Sequence, residues 1–173
     1  NEMITIEDIQ KSHNILLPVI NKTPLLSSRS FNGLTGNDVY FKAENFQRIG
    51  AFKFRGAYAK IYSLSDEEKR RGVIAHSSGN HAQGVALAGR IFGIKSTIVM
   101  PHNSVKSKVE ATKNYGSDVV FCGLSTDERE KTTQELIDKF GYTLIHPYDD
   151  EKLIAGQGPV GMEIFREGGI FDY

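Results

Sequence analysis

Val73-Ile74-Ala75-His76-Ser77-Ser78-Gly79-Asn80-His81-Ala82-Gln83-Gly84 sets a short apolar run, a turn of small polar residues and the start of a helical pattern in succession. That order is a strand feeding a helix. Hydroxyls, an amide side chain and backbone N–H groups gather at the first turn of the helix, where a carboxylate or phosphate is favoured. Serine and asparagine also favour N-cap positions, so the turn taken alone reads equally well as helix capping.

Outward from this unit the same alternation continues. Val39-Tyr40-Phe41-Lys42 reads as a strand, residues 54–64 as a helix, and Ser65-Asp66-Glu67-Glu68 as a capping box opening another helix. A strand is expected at 73–75, a helix at 81–92, a strand at 97–100 and a helix at 104–115. A strand at 119–121, a helix at 127–140 and a strand at 143–145 complete the series. Nearer the N-terminus, Thr5-Ile6-Glu7-Asp8 opens a helix with Ile6, Ile9, His13, Leu16 and Leu17 at helical spacing until Pro18 interferes. This pattern predicts an α/β fold with open, mainly parallel sheets and helices on both faces. Ligands of such sheets bind beyond the carboxyl ends of the strands, which is where residues 77–81 fall.

A second segment, Gly50-Ala51-Phe52-Lys53-Phe54-Arg55-Gly56-Ala57, places one lysine between two aromatic residues with glycines on either side. Partial desolvation there disfavours the ammonium form of Lys53 and makes its amine available for Schiff-base chemistry. The plainer reading is a helix-start lysine whose stem covers apolar surface while its charge reaches water. A third unusual segment, Ile154-Ala155-Gly156-Gln157-Gly158, lies further on.

Asn45-Phe46-Gln47 leading into residues 50–57, then Ser77-Ser78-Gly79-Asn80-His81, His146-Pro147-Tyr148-Asp149-Asp150 and Ala155-Gly156-Gln157-Gly158, resembles the threonine dehydratase and serine racemase family of pyridoxal-phosphate enzymes. The resemblance implies the two-domain architecture of fold type II, related to the tryptophan synthase β chain. Residues 1–71 and 149–173 are then parts of a larger domain and residues 72–148 a smaller α/β domain. It also implies that about the second half of a member is missing: the glycine-rich turn for the cofactor phosphate and the partner of the pyridine nitrogen both lie later in relatives. A fragment of a longer protein is expected rather than a natural truncation.

By the same resemblance, Lys53 carries pyridoxal 5′-phosphate and removes the α-proton of an amino-acid substrate. Phe52 flanks the ring and Asn80 hydrogen-bonds its hydroxyl. Ser77, Ser78, Gly79 and His81 hold the substrate carboxylate with hydroxyl, backbone and imidazole donors. Loss of a β-hydroxyl from L-threonine or L-serine then yields a 2-oxo acid and ammonia. Serine racemases share the Ser-Ser-Gly-Asn-His turn and use its second serine as acid and base on the face opposite lysine, so Ser78 makes racemization the alternative. β-Replacement, the chemistry of related synthases, fits less well because those enzymes favour threonine-rich turns before the asparagine. Ser27, Ser28, Gln83 and Tyr115 match positions that bind a nucleotide effector in animal serine racemases, although Arg48 and Ile49 depart from that pattern. A non-catalytic module that retains Lys53 by descent is the reading of another class, and a homodimer or homotetramer is expected at full length.

Among 173 residues, 21 are acidic and 21 basic, which gives no sign of a nucleic-acid or acidic-membrane partner. The single cysteine, Cys122, cannot form an internal disulfide and reads as a small buried hydrophobe. No apolar run approaches the ~20 residues of a membrane span, and no basic segment precedes an apolar signal core. A soluble, cytoplasmic protein is therefore expected. His76, His102 and His146 show no metal-ligand spacing and read as surface or loop residues, and no metal is expected.

Overall fold

A computed structural model describes residues 3–169, 171 and 172; Asn1, Glu2, Ile170 and Tyr173, at the outer ends of the expected large-domain segments, lie outside it. Thr5 caps helix α1 (Ile6–Leu16) in a reciprocal capping box with Asp8; of the residues at helical spacing, His13 and Leu16 face inward, whereas Ile6 and Leu17 are exposed. Strands β1 (Leu25–Ser27) and β2 (Tyr40–Lys42) form an antiparallel pair and flank helix α2 (Arg29–Thr35). Two 3₁₀ turns, Glu44–Phe46 and Arg48–Gly50, lead into α3 (Lys53–Tyr62). The predicted box at Ser65 and Glu68 opens α4 (Asp66–Arg71).

Then comes the parallel sheet. Strand β3 (Val73–His76), α5 (Asn80–Phe92), β4 (Ser96–Pro101), α6 (Lys106–Asn114), β5 (Asp118–Cys122), α7 (Thr126–Phe140) and β6 (Thr143–Leu144) follow one another. The strands lie in the order β5-β4-β3-β6 with every pairing parallel. Side chains alternate across it, as the twofold strand repeat requires. Val73, Ala75, Ile98 and Met100 pack into one core with Val85 and Ala88 of α5 and Val109 of α6, whereas Ile74, Val99 and Cys122 pack with Tyr142 and the Leu136 and Ile137 side chains of α7. A sheet buried on both faces is what nearly continuous apolar strands specify. The fold is α/β, as expected, with the small antiparallel β1–β2 pair added.

The larger core continues into the N-terminal segment, where Leu16, Phe54, Ala57, Tyr58 and Ile61 belong to the same cluster. Helices α8 (Glu151–Gln157) and α9 (Pro159–Gly168) return the chain to α3. Glycines allow the close approach. A β-carbon on Gly56 would lie 2.8 Å from the Leu153 carbonyl oxygen, and one on Gly156 would lie 2.5 Å from the Ala59 β-carbon. The Ala155-Gly156-Gln157-Gly158 motif thus serves helix-to-helix contact. Among the described residues, no helix is long and apolar enough to cross a membrane.

Candidate active site

Lys53 is the first residue of α3, and the chain reaches it through an unusual turn. Ile49 and Gly50 both adopt left-handed backbone, with φ of 61° and 69°. That conformation is natural for glycine and strained for a β-branched residue, at a cost of about 1–3 kcal/mol. Phe52 occupies the N-cap without a side-chain cap, and its ring, partly open to solvent, lies 5.3 Å from Lys53 Nζ. Nζ donates a 2.8 Å hydrogen bond to the carbonyl of Pro147, in the loop after β6. No carboxylate pairs with it among the described residues. Burial without a counter-charge pushes the Lys53 amine below the ordinary lysine value, the direction expected from its sequence setting.

Residues 77–79 form the turn between β3 and α5. Ser77 takes its N–H to the Val99 carbonyl and its Oγ accepts from the Gly79 N–H at 3.2 Å. Gly79 is the N-cap of α5, and no side chain caps this helix. Simple capping by serine or asparagine is therefore excluded here. The first intrahelical bond runs from Gln83 to the Gly79 carbonyl, which leaves the amides of Asn80, His81 and Ala82 without acceptors in their own helix. A β-carbon on Gly79 would meet nothing within 4 Å, so the space beside this residue is open. Asn80 is exposed beside that space, and Ser78 makes no side-chain hydrogen bond among those found for the described residues.

His81 is buried. The ring is 4% exposed, and Nε2 lies 2.9 Å from the Ile145 carbonyl, an acceptor that fixes the proton on Nε2. Nδ1 is then an unprotonated acceptor, and it is buried without a partner. Burial, offset in part by the Ile145 bond and reinforced by Lys53, His76 and His146, pushes the imidazole down to about 4. In this structure the single imidazole N–H of the neutral ring goes to the Ile145 carbonyl, which leaves the backbone N–H as the donor that His81 has free.

His76 also departs from the surface reading, since it ends β3 half-buried and its ring packs against His146 at 6.5 Å. His146 Nδ1 accepts the N–H groups of Tyr148 and Asp149 at 3.3 and 2.8 Å, shaping the loop that carries the Pro147 carbonyl. Of the expected effector positions, Ser27 is exposed at the end of β1 and Ser28 is the N-cap of α2, accepting from Phe31. Gln83 and Tyr115 lie elsewhere, on α5 and at the C-cap of α6. No hydrogen bond joins the two pairs among the described residues. No cluster of three metal-ligand side chains occurs among them either. Sequence reasoning passed over Arg55, which is fully buried between two glutamates in the first turn of α3.

A partly buried amine, close enough to His81 to influence it electrostatically, lies near a helix start whose amides lack intrahelical acceptors, at the carboxyl ends of a parallel sheet. In an α/β protein such an arrangement is suited to an anionic ligand beside a lysine amine. The family model described as pyridoxal-phosphate dependent enzyme matches residues 16–173, and the chain belongs to that family. It is 47% identical over 165 residues to the L-threonine ammonia-lyase of Thermotoga maritima, covering 95% of this chain and 41% of that protein. It is 45% identical over 168 residues to the L-threo-3-hydroxyaspartate ammonia-lyase of Saccharomyces cerevisiae, covering 97% and 52%. The structure of maize serine racemase superposes with a TM-score of 0.91 at 40% identity, over 94% of this chain and 49% of that one. The chain thus spans about half the length of the relatives it matches. The residues present fit the reactive end of the family's cofactor: a desolvated lysine amine, a neighbouring aromatic ring and a set of unspent amides.

Proposed function

We propose that the full-length protein is an ammonia-lyase that eliminates water from L-threonine or L-serine to give a 2-oxo acid and ammonia. The observation that carries this reading is the Lys53 amine, deprived of a counter-ion and directed at a neutral carbonyl beside the open start of α5. The likeness to two ammonia-lyases supports the choice of elimination.

Lys53 would hold pyridoxal 5′-phosphate, with Phe52 against the ring and Asn80 toward its hydroxyl. When bound, that cofactor supplies an electron sink for chemistry at the α-carbon of an amino acid. The protein does the rest by placement. Amides of residues 80–82, with Ser77, Ser78 and Gly79, bind the substrate carboxylate at the helix start, where the dipole favours it. That anchor turns the α-carbon toward Lys53 Nζ, which accepts the α-proton on one face. Lowered basicity is in the direction this task needs, because burial favours the neutral form of the amine, the form that takes a proton. Pro147 O receives the hydrogen bond of the resting amine and so fixes where Nζ waits.

One observation favours a second reading. Ser78 Oγ is left uncommitted by the turn, and serine racemases share the fold at high TM-score. A hydroxyl on the face opposite Lys53 could return a proton there and invert the substrate. We retain the division into residues 1–71, 72–148 and 149–173, a homodimer or homotetramer, a cytoplasmic location and an effector role for Ser27, Ser28, Gln83 and Tyr115 as parts of the same proposal.

The test is to supply the full-length protein and its Ser78→Ala variant with pyridoxal phosphate, then follow L-serine and L-threonine by oxo-acid release and chiral analysis. Oxo acid from either substrate, unchanged in kind by the substitution, supports the lyase. D-Serine that disappears in Ser78→Ala makes the protein a racemase. Cofactor uptake without turnover of either kind would leave a non-catalytic module, and absence of uptake would remove the cofactor role of Lys53.

A further inference from the structure

Arg55 stands two residues after Lys53 on α3, about 200° round the helix axis and so on its opposite side. Its side chain is 0% exposed. Nε and Nη2 bind the two oxygens of Glu44 at 2.9 and 2.8 Å, while Nη1 and Nη2 bind the two oxygens of Glu163 at 2.7 and 2.9 Å. The guanidinium plane is thus gripped by two forks, one from the 3₁₀ turn before α3 and one from α9. The grip is itself braced. Thr23 Oγ1 donates to Glu44 at 2.7 Å, and Lys42 Nζ pairs with Glu163 and Glu167 at 3.1 Å each while donating to the Thr23 carbonyl at 2.8 Å.

Stability alone is a poor account of this arrangement. Desolvating each ion costs several kcal/mol, and a well-packed apolar cluster often does as well. A positive charge also sits badly in the first turn of a helix, where the dipole is already positive. What two planar forks provide and apolar contacts do not is a fixed rotation about the helix axis. The start of α3 has need of it. Phe52 offers no side-chain cap, and the chain enters through the strained turn at Ile49 and Gly50.

We infer that Arg55 is a positioning residue for Lys53: its double fork to Glu44 and Glu163 sets the rotation of the first turn of α3 and thereby aims the lysine amine at the Pro147 carbonyl. Arg55 touches neither cofactor nor substrate. The inference rests on the proposed role of Lys53, but its test separates the two.

The experiment uses the full-length protein and its Glu44→Gln and Glu163→Gln variants, which keep side-chain volume but turn an NH₂ toward a guanidinium N–H. In cofactor-stripped protein, the pH midpoint for acylation of Lys53 by an amine-directed reagent is read by mass spectrometry, with Lys60 of the same helix as internal reference. Cooperative melting checks that each variant is folded. The holoenzymes are then compared by visible cofactor spectrum, kcat and KM. The expected result is a Lys53 midpoint raised by about one pH unit, an unmoved Lys60 midpoint, and kcat lowered about tenfold with KM little changed. Variants that melt lower yet keep the wild-type Lys53 midpoint and kcat would overturn the inference and leave Arg55 a structural residue. A shifted midpoint in a protein that never takes up cofactor would uphold Arg55 and defeat the enzymatic reading instead.

Discussion

Gly84 of α5 meets Lys53 of α3 backbone to backbone: a β-carbon on Gly84 would lie 3.1 Å from the Lys53 carbonyl oxygen and 3.2 Å from its carbonyl carbon. The two helices that build the site therefore touch at the residue that carries the amine. Gly84→Ala must displace that peptide by a few tenths of an ångström. We expect a cost of about 1–3 kcal/mol, read by urea denaturation. We also expect a fall in kcat of the full-length enzyme larger than the stability loss explains, because a small misplacement of a reacting group is costly.

Gly79 provides the opposite case. Nothing lies within 4 Å of a β-carbon placed there, and its backbone φ of −133° is open to other residues. Gly79→Ala is expected to change stability by no more than about 0.5 kcal/mol. With the carboxylate bound at this helix start as proposed, an added methyl group at its N-cap should lower affinity for that carboxylate. A melting curve beside a KM measurement on the full-length protein checks both halves, and an unchanged KM would place the carboxylate elsewhere.

His81 makes stability depend on pH. Its folded value of about 4 lies below the ordinary 6.5, so between those values the unfolded chain binds more protons than the folded one. The stabilisation is fully present above pH 6.5 and is lost as the pH falls through 4, a span on the order of 3 kcal/mol. His81→Gln keeps a donor for the Ile145 carbonyl but cannot titrate. Its stability should be flatter with pH across that window, and an identical slope in both proteins would show that His81 is not the group responsible.

Glu163 governs the acid limb. Burial alone would lift its carboxyl, but the hydrogen bonds and charges of Arg55 and Lys42 outweigh this and hold it below the ordinary 4.5. A depressed folded value gives stabilisation that is complete above 4.5 and disappears as the pH falls through the lower folded value. Melting temperatures of Glu163→Gln should therefore lie below those of the wild type at neutral pH and converge toward them in acid. Parallel curves at all pH values would contradict the pairing.

Much of this architecture was legible locally. The run from Val73 to Gly84 gave strand, turn and helix in order, because apolar residues that must be buried on both faces leave a dense strand and the polar turn that follows has no other place to lie. Ser65 and Glu68 announced α4 by spacing alone. Helices α8 and α9 were not read, since glycine-rich residues 156–158 have weak helical preference and are held by contacts with α3, through Gly156, and with Ile9 of α1, through Gly158. Strand β1 and helix α2 were missed because three and seven residues, mostly exposed, leave no periodicity to detect.

At the site, the desolvation of Lys53 followed from its neighbours, but the tautomer of His81 did not. That depends on the Ile145 carbonyl, 64 residues away in the chain. Arg55 gave one overlooked signal, a second charged residue beside Lys53 in a segment otherwise apolar or small. Its partners could not be chosen from many glutamates, as Glu44 and Glu163 lie 11 and 108 positions from it.

The second of those separations bears on the order in which the molecule matures. A chain leaving the ribosome can form α3 early, from local bonds, but Arg55 receives its second fork only when Glu163 has been synthesised and has closed a loop of 108 residues. Until then a buried cation is held on one side only. On the inferred role of Arg55, the lysine is aimed only once this long loop has closed.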